Sequence, residues 1–108
     1  MEPNLKLENG VLIVRVDGDL TSTTVLPLRR QLDEYFKSDH ATAQLWTICK
    51  LDLRAARMID SVGLNLVVSL LKTVQKRGAT LQVATTDQNI LRTLAFTRLD
   101  KQLELVKM

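Results

Sequence analysis

Short leucine-rich and β-branched runs alternate along the chain with stretches whose apolar residues recur every three to four positions, the pattern of strands interleaved with helices. Val11 to Val16 reads Val-Leu-Ile-Val-Arg-Val, and Leu5 and Leu7 lie just ahead of the Asn9-Gly10 pair, a tight-turn signal, so a hairpin opens the domain. Asp17-Gly18-Asp19 breaks the second strand. Thr21, Ser22, Thr23 and Thr24 then offer N-caps to a helix with apolar positions Val25, Leu28, Leu32 and Phe36, running to about Lys37. Pro27 is expected in that helix's first turn, where its missing N–H has no intrahelical partner to lose.

Ser38 to Gln44 is polar and small, a connector. Leu45 to Leu53 follows as a strand mostly buried on both faces, central in the sheet. After Arg54 to Ile59 comes Asp60-Ser61, and Val62, Leu66, Val67, Leu70, Leu71 and Val74 form a broad helical stripe ended by Lys76-Arg77-Gly78. Thr80 to Thr85 alternates as a half-buried strand; Thr85 with Gln88, or Asp87 alone, can cap a short helix carrying Ile90, Leu91 and Leu94; Leu103 to Val106 is a last strand. The order β-β-α-β-α-β-α-β predicts a small α/β domain with a mixed, mostly parallel sheet of four to five strands and helices packed on it, a single unit over residues 1–108.

Composition narrows the function mainly by exclusion. At 45% hydrophobic and 25% charged residues the chain has the balance of a globular domain. No apolar run is long enough to span a bilayer and the start is not leader-like, so neither membrane insertion nor export is expected and the cytoplasm is the default. The lone Cys49 excludes an internal disulfide and, with Trp46, is assigned to the core. The net charge of +3 is uneven, −1 over residues 1–54 and +4 over 55–108. Yet Phe96 is the only aromatic in the basic half, so there is no stacking platform and no nucleic-acid partner is expected.

Catalytic inventories come up short. His40, the only histidine, falls in the polar connector, and a zinc site lacks ligands. Asp17-Gly18-Asp19 lacks the later ligands of a calcium loop. Ser69-Leu70-Leu71-Lys72 lies mid-helix without companion motifs, Ile59 stands where a nucleophile elbow around Ser61 needs glycine, and the glycines form no nucleotide loop. Neither an enzyme nor a cofactor is expected. What remains is Met58-Ile59-Asp60-Ser61-Val62-Gly63-Leu64 at the start of the strongest helix. Asp60 and Ser61 suit N-capping, and Ser61 also suits phosphorylation, because free N–H groups and the helix dipole favour an added dianion. The two roles are compatible.

At Asp60-Ser61-Val62-Gly63-Leu64 the chain resembles the STAS family, in particular the bacterial anti-sigma factor antagonists. The likeness continues through Gly18-Asp19-Leu20, Leu51-Asp52-Leu53, Lys76-Arg77-Gly78 and Leu94-Ala95-Phe96-Thr97-Arg98-Leu99, in that family's order. The resemblance implies a small STAS-like domain that works as a switch. The unphosphorylated form would bind an anti-sigma factor that is also a serine kinase, and a PP2C-type serine phosphatase would restore it after phosphorylation. Ser61 would be the acceptor, Asp60 its acidic neighbour and Gly63 the small residue that lets the partner approach. Asp19, Thr21, Ser22, Arg57, Met58 and Val62 would complete the partner surface of a protein that is monomeric alone. Thr21 stands where family members often carry an acid, and Val62 where they often carry a second hydroxyl, leaving Ser61 as the acceptor. The rival reading is a phosphorylation-independent STAS scaffold in a signalling or transporter complex, with Ser61 only a cap.

Overall fold

Asn9 and Gly10 take φ of 51° and 77°, the positive pair that a two-residue hairpin turn requires. They join β1 (Leu5–Glu8) to β2 (Val11–Arg15) in an antiparallel pair. The structure, a computed structural model, describes residues 4–37 and 46–106. The expected connector with His40, the first residue of the Leu45–Leu53 run, Lys107 and the start up to Pro3 lie outside the described residues.

Beyond the hairpin come α1 (Ser22–Lys37), β3 (Ile48–Asp52), α2 (Ser61–Lys76), β4 (Thr80–Ala84), α3 (Gln88–Phe96), a single 3-10 turn (Leu99–Lys101) and β5 (Glu104–Val106). The strands lie in chain order, β1-β2-β3-β4-β5, parallel except for the hairpin. Consecutive parallel neighbours joined by right-handed crossovers put all three helices on one face. The burial alternation fits this: Leu12, Val14, Cys49, Leu51, Leu81 and Val83 point to the helices and are sealed, whereas Ile13, Ile48, Lys50 and Gln82 keep partial exposure. β3 is central, as expected, but it is covered by helices on one face only. Its apolar run made it look buried on both.

Two details of α1 also differ from expectation. Its buried stripe is Val25, Leu28, Leu32 and Tyr35, and Phe36 is half-buried under the Arg77 guanidinium, 5.3 Å from the ring centroid. Pro27 is the sixth helical residue rather than one of the first turn, so the Thr23 carbonyl has no N–H at the position four residues on. The helix starts further upstream, where the Thr21 N–H donates to Thr24 Oγ1 at 3.0 Å, the Thr24 N–H donates to the Thr21 carbonyl at 3.0 Å and the Ser22 N–H donates to Asp60 Oδ2.

The other punctuation follows the sequence. Gly78 adopts φ 72° and ends α2, and Asp87 caps α3 by accepting the Asn89 and Ile90 N–H groups. Trp46 and Cys49 are buried in the core, and burial pushes the Cys49 thiol up to about 12. No helix among the described residues is long and apolar enough to cross a membrane.

Candidate functional site

In a parallel sheet every helix starts at the carboxyl edge of the strand before it. Because β2 and β3 are neighbours, the β2–α1 and β3–α2 connections meet there side by side. Their contact is a short extension of the sheet. Leu20 and Ile59 form an isolated parallel bridge, the Leu20 N–H donates to the Met58 carbonyl at 3.0 Å, and the Asp60 N–H donates to the Leu20 carbonyl at 3.3 Å.

Two carboxylates reinforce the pairing in opposite directions. Asp19, on the first connection, accepts the Arg57 and Met58 N–H groups at 2.8 and 3.1 Å on one oxygen. Asp60, on the second, accepts the Ser22 N–H at 2.8 Å on Oδ2 and the Gly63 N–H at 2.8 Å on Oδ1. One side chain thus satisfies an orphan amide at the start of both helices. Those amides, Gly63 first and Ser22 next, hold the Asp60 carboxyl below the usual carboxylate range.

Gly63 is buried in this junction. A Cβ there would collide with the Leu20 backbone carbonyl. The small residue therefore admits Leu20 of the same chain; the role of admitting a partner was what the family resemblance implied.

With Asp60 as the N-cap, Ser61 is the first residue of α2 and does not cap it. It is exposed, and no hydrogen bond within the described residues engages its hydroxyl. Met58 and Val62 flank it with relative exposures of 58% and 42%, and Arg57 and Ser22 are exposed beside them. All nine residues picked out from the sequence, Asp19, Thr21, Ser22, Arg57, Met58, Asp60, Ser61, Val62 and Gly63, fall in the two paired connections and the first turns they lead into. Asp19, Asp60 and Gly63 act within the junction; Ser22, Arg57, Met58, Ser61 and Val62 face outward.

The sequence model of the STAS domain family matches residues 2–107. The chain belongs to the STAS domain family. Among solved structures this STAS domain is similar to a candidate anti-sigma factor antagonist from Thermotoga maritima. The crystal structure of that protein gives a TM-score of 0.77 at 19% identity, covering 96% of this chain and 84% of the other. Its NMR structure gives 0.75 at 20% identity, covering 100% and 82%. The anti-sigma factor antagonist SpoIIAA in its unphosphorylated form matches with a TM-score of 0.71 at 12% identity, covering 96% and 86%. At such identities these likenesses speak for the fold.

At this edge of the STAS domain two residues have roles that the sequence did not assign. Leu20 stood in the sequence only as the last residue of Gly18-Asp19-Leu20, yet its backbone carries the contact between the connections. Asp52, at the end of β3, is buried and accepts from Arg54 Nε at 2.9 Å, Nη2 at 2.8 Å and the Arg54 backbone N–H at 3.1 Å. The spacing of two was the only signal. The Arg54 side chain holds the Asp52 carboxyl below its usual range. A depressed carboxyl stabilises the fold above its unfolded pKa, and that stability is lost as pH falls through the lower folded value. Asp52→Asn is expected to cost about 1 kcal/mol at pH 7, since Arg54 is half in solvent. In urea titrations the gap between variant and wild type should close as pH drops below about 4; a gap that persists unchanged into strong acid would assign the cost to packing.

Proposed function

We propose that this STAS domain is the switch component of a partner-switching pathway. Unphosphorylated, it binds an anti-sigma factor that is also a serine kinase, and the sigma factor is freed; phosphorylated on Ser61, it is released. The observation that carries the reading is the state of Ser61: exposed at the first position of α2, with its hydroxyl unclaimed because Asp60 supplies the cap. The sequence allowed Ser61 both roles, cap and acceptor, and a serine relieved of capping is available to a kinase.

The chemistry asked of the domain is modest. The kinase brings ATP and magnesium and performs the transfer, and a PP2C-type phosphatase removes the group. The domain is substrate and ligand, acting in the cytoplasm as a monomer with no cofactor of its own. A phosphate at the start of a helix meets the positive end of the helix dipole, so the fold is expected to tolerate it. The outward-facing Ser22, Arg57, Met58 and Val62 would surround it on the partner surface, with Thr21 at its edge.

Intact-mass spectrometry tests this. The wild-type chain and Ser61→Ala are incubated with ATP, magnesium and lysate of the source organism. One added phosphate on wild type and none on the variant is the expected result. No phosphate on wild type, while a control substrate is labelled in the same lysate, would overturn the switch and favour a phosphorylation-independent scaffold.

A further inference from the structure

Asp19 reaches across the junction to the backbone that leads into Ser61. Its Oδ1 gathers two successive amides, Arg57 at 2.8 Å and Met58 at 3.1 Å. Its own backbone is fixed in turn, since Thr24 Oγ1, in the first turn of α1, donates to the Asp19 carbonyl at 2.6 Å. The carboxylate is thus tied to one helix start and grips the approach to the other. Further along that approach, Leu20 holds the Met58 carbonyl and the Asp60 N–H, and Asp60 closes onto Gly63. Every polar contact that Asp19 makes among the described residues is internal, which sets it apart from Arg57 and Met58, whose side chains stand in solvent.

We propose that Asp19 is a positioning residue for the phosphorylation of Ser61, acting through the Arg57–Asp60 backbone rather than through contact with a partner. The proposal rests on the switch reading above. Removing the carboxylate frees the two amides at the entrance of the segment. The Leu20 bridge and the Asp60 cap remain, so α2 still forms while the segment in front of Ser61 loses one of its anchors. In-line transfer is sensitive to such slack, because a displacement of about 1 Å of a reacting group costs on the order of a hundredfold in rate.

Geometry and charge make opposite predictions for asparagine. Its side-chain carbonyl can accept the same two N–H groups, whereas a cationic partner would miss the lost charge. With the kinase activity that labels wild type, Asp19→Ala is expected to lower kcat/KM for Ser61 phosphorylation about ten- to hundredfold, mostly in kcat. Asp19→Asn should recover most of it. Hydrogen exchange, read by NMR on the unphosphorylated proteins, should show the Arg57 and Met58 amides deprotected in Asp19→Ala and near wild type in Asp19→Asn. Asp19→Ser replaces the alanine variant should that not fold.

An asparagine variant as impaired as alanine, or an alanine variant labelled at the wild-type rate, would overturn the positioning role. Failure of wild type to be phosphorylated would sink the switch reading instead. Exchange would then still judge the clasp, and unchanged protection of Arg57 and Met58 in Asp19→Ala would overturn it.

Discussion

Phosphorylation at Ser61 is expected to weaken binding of the anti-sigma factor about a thousandfold relative to the unmodified chain. The serine stands between two exposed apolar side chains, Met58 and Val62, on a surface whose nearest acid, Asp60, already takes two backbone amides. A buried interface there would have to strip water from a group carrying about −1.5 to −2 charges. Desolvating a dianion that the neighbouring cation, Arg57, matches only in part costs several kcal/mol, and a net difference of about 4 kcal/mol corresponds to about a thousandfold in affinity. Isothermal titration of the purified anti-sigma factor with fully phosphorylated and unmodified protein measures it. Ser61→Ala should bind like wild type, because the hydroxyl engages no group among the described residues and the helix cap stays with Asp60. Phosphorylated and unmodified forms agreeing within about threefold would remove the switch.

Gly63→Ala should be the most damaging single methyl in the domain. The added carbon would lie 2.8 Å from the Leu20 carbonyl carbon and closer still to its oxygen. Both are backbone atoms and cannot swing aside. Relief requires the two connections to part, which strains the Asp60–Leu20 and Leu20–Met58 hydrogen bonds together. Overpacking of this kind, with the bonds it breaks, is expected to cost about 3 kcal/mol. For a domain of this size that lowers Tm by roughly 15 °C, read by calorimetry or circular dichroism. Gly18→Ala is the control: a Cβ there meets nothing within 4 Å and the backbone needs no positive φ, so its melting point should stay within a few degrees of wild type. A Gly63→Ala protein that melts with the control would show that the junction yields easily.

Both expectations concern places where a local reading of the chain stopped short. The Asn9-Gly10 turn, the Gly78 stop and the Asp87 cap could be read from the sequence, because each depends on residues a few positions apart and on backbone preferences that those residues carry themselves. The apolar stripe of α2 was equally plain from Leu66 to Val74, but Val62, read as its first member, is exposed, and the buried position in that turn is Gly63. The stripe of α1 was read with Phe36 where Tyr35 packs, since two adjacent aromatics both fit a 3.6-residue period and only the facing core chooses between them. Pro27 misled for a related reason: it marks a helix start only where nothing upstream satisfies the first amides, and here Thr24 Oγ1 takes the Thr21 N–H and Asp60 the Ser22 N–H.

The site divides along the same line. Asp60 and Ser61 were recognisable as a helix start, but which of them capped it depended on side-chain geometry. Asp60 spans both helix starts, while the Ser61 hydroxyl bonds to nothing among the described residues. Gly63 and Asp19 entered as partner contacts through the family resemblance and their place beside Ser61. Within the chain their neighbours, Leu20 for the first and Arg57 and Met58 for the second, are 38 to 43 positions away.

By itself, then, the sequence determined the order of the elements, the hairpin turn, the stop of α2, the cap of α3 and the serine at the head of α2, because propensity, capping and hydrophobic period act within one or two turns. Only the tertiary structure decided which face of the sheet is covered, which residue caps and which is left free, and that Asp19, Leu20, Asp60 and Gly63 form one junction. Those outcomes depend on β2 and β3 lying side by side, and that adjacency is set by burial and hydrogen bonding between segments whose separation in sequence carries no local signal.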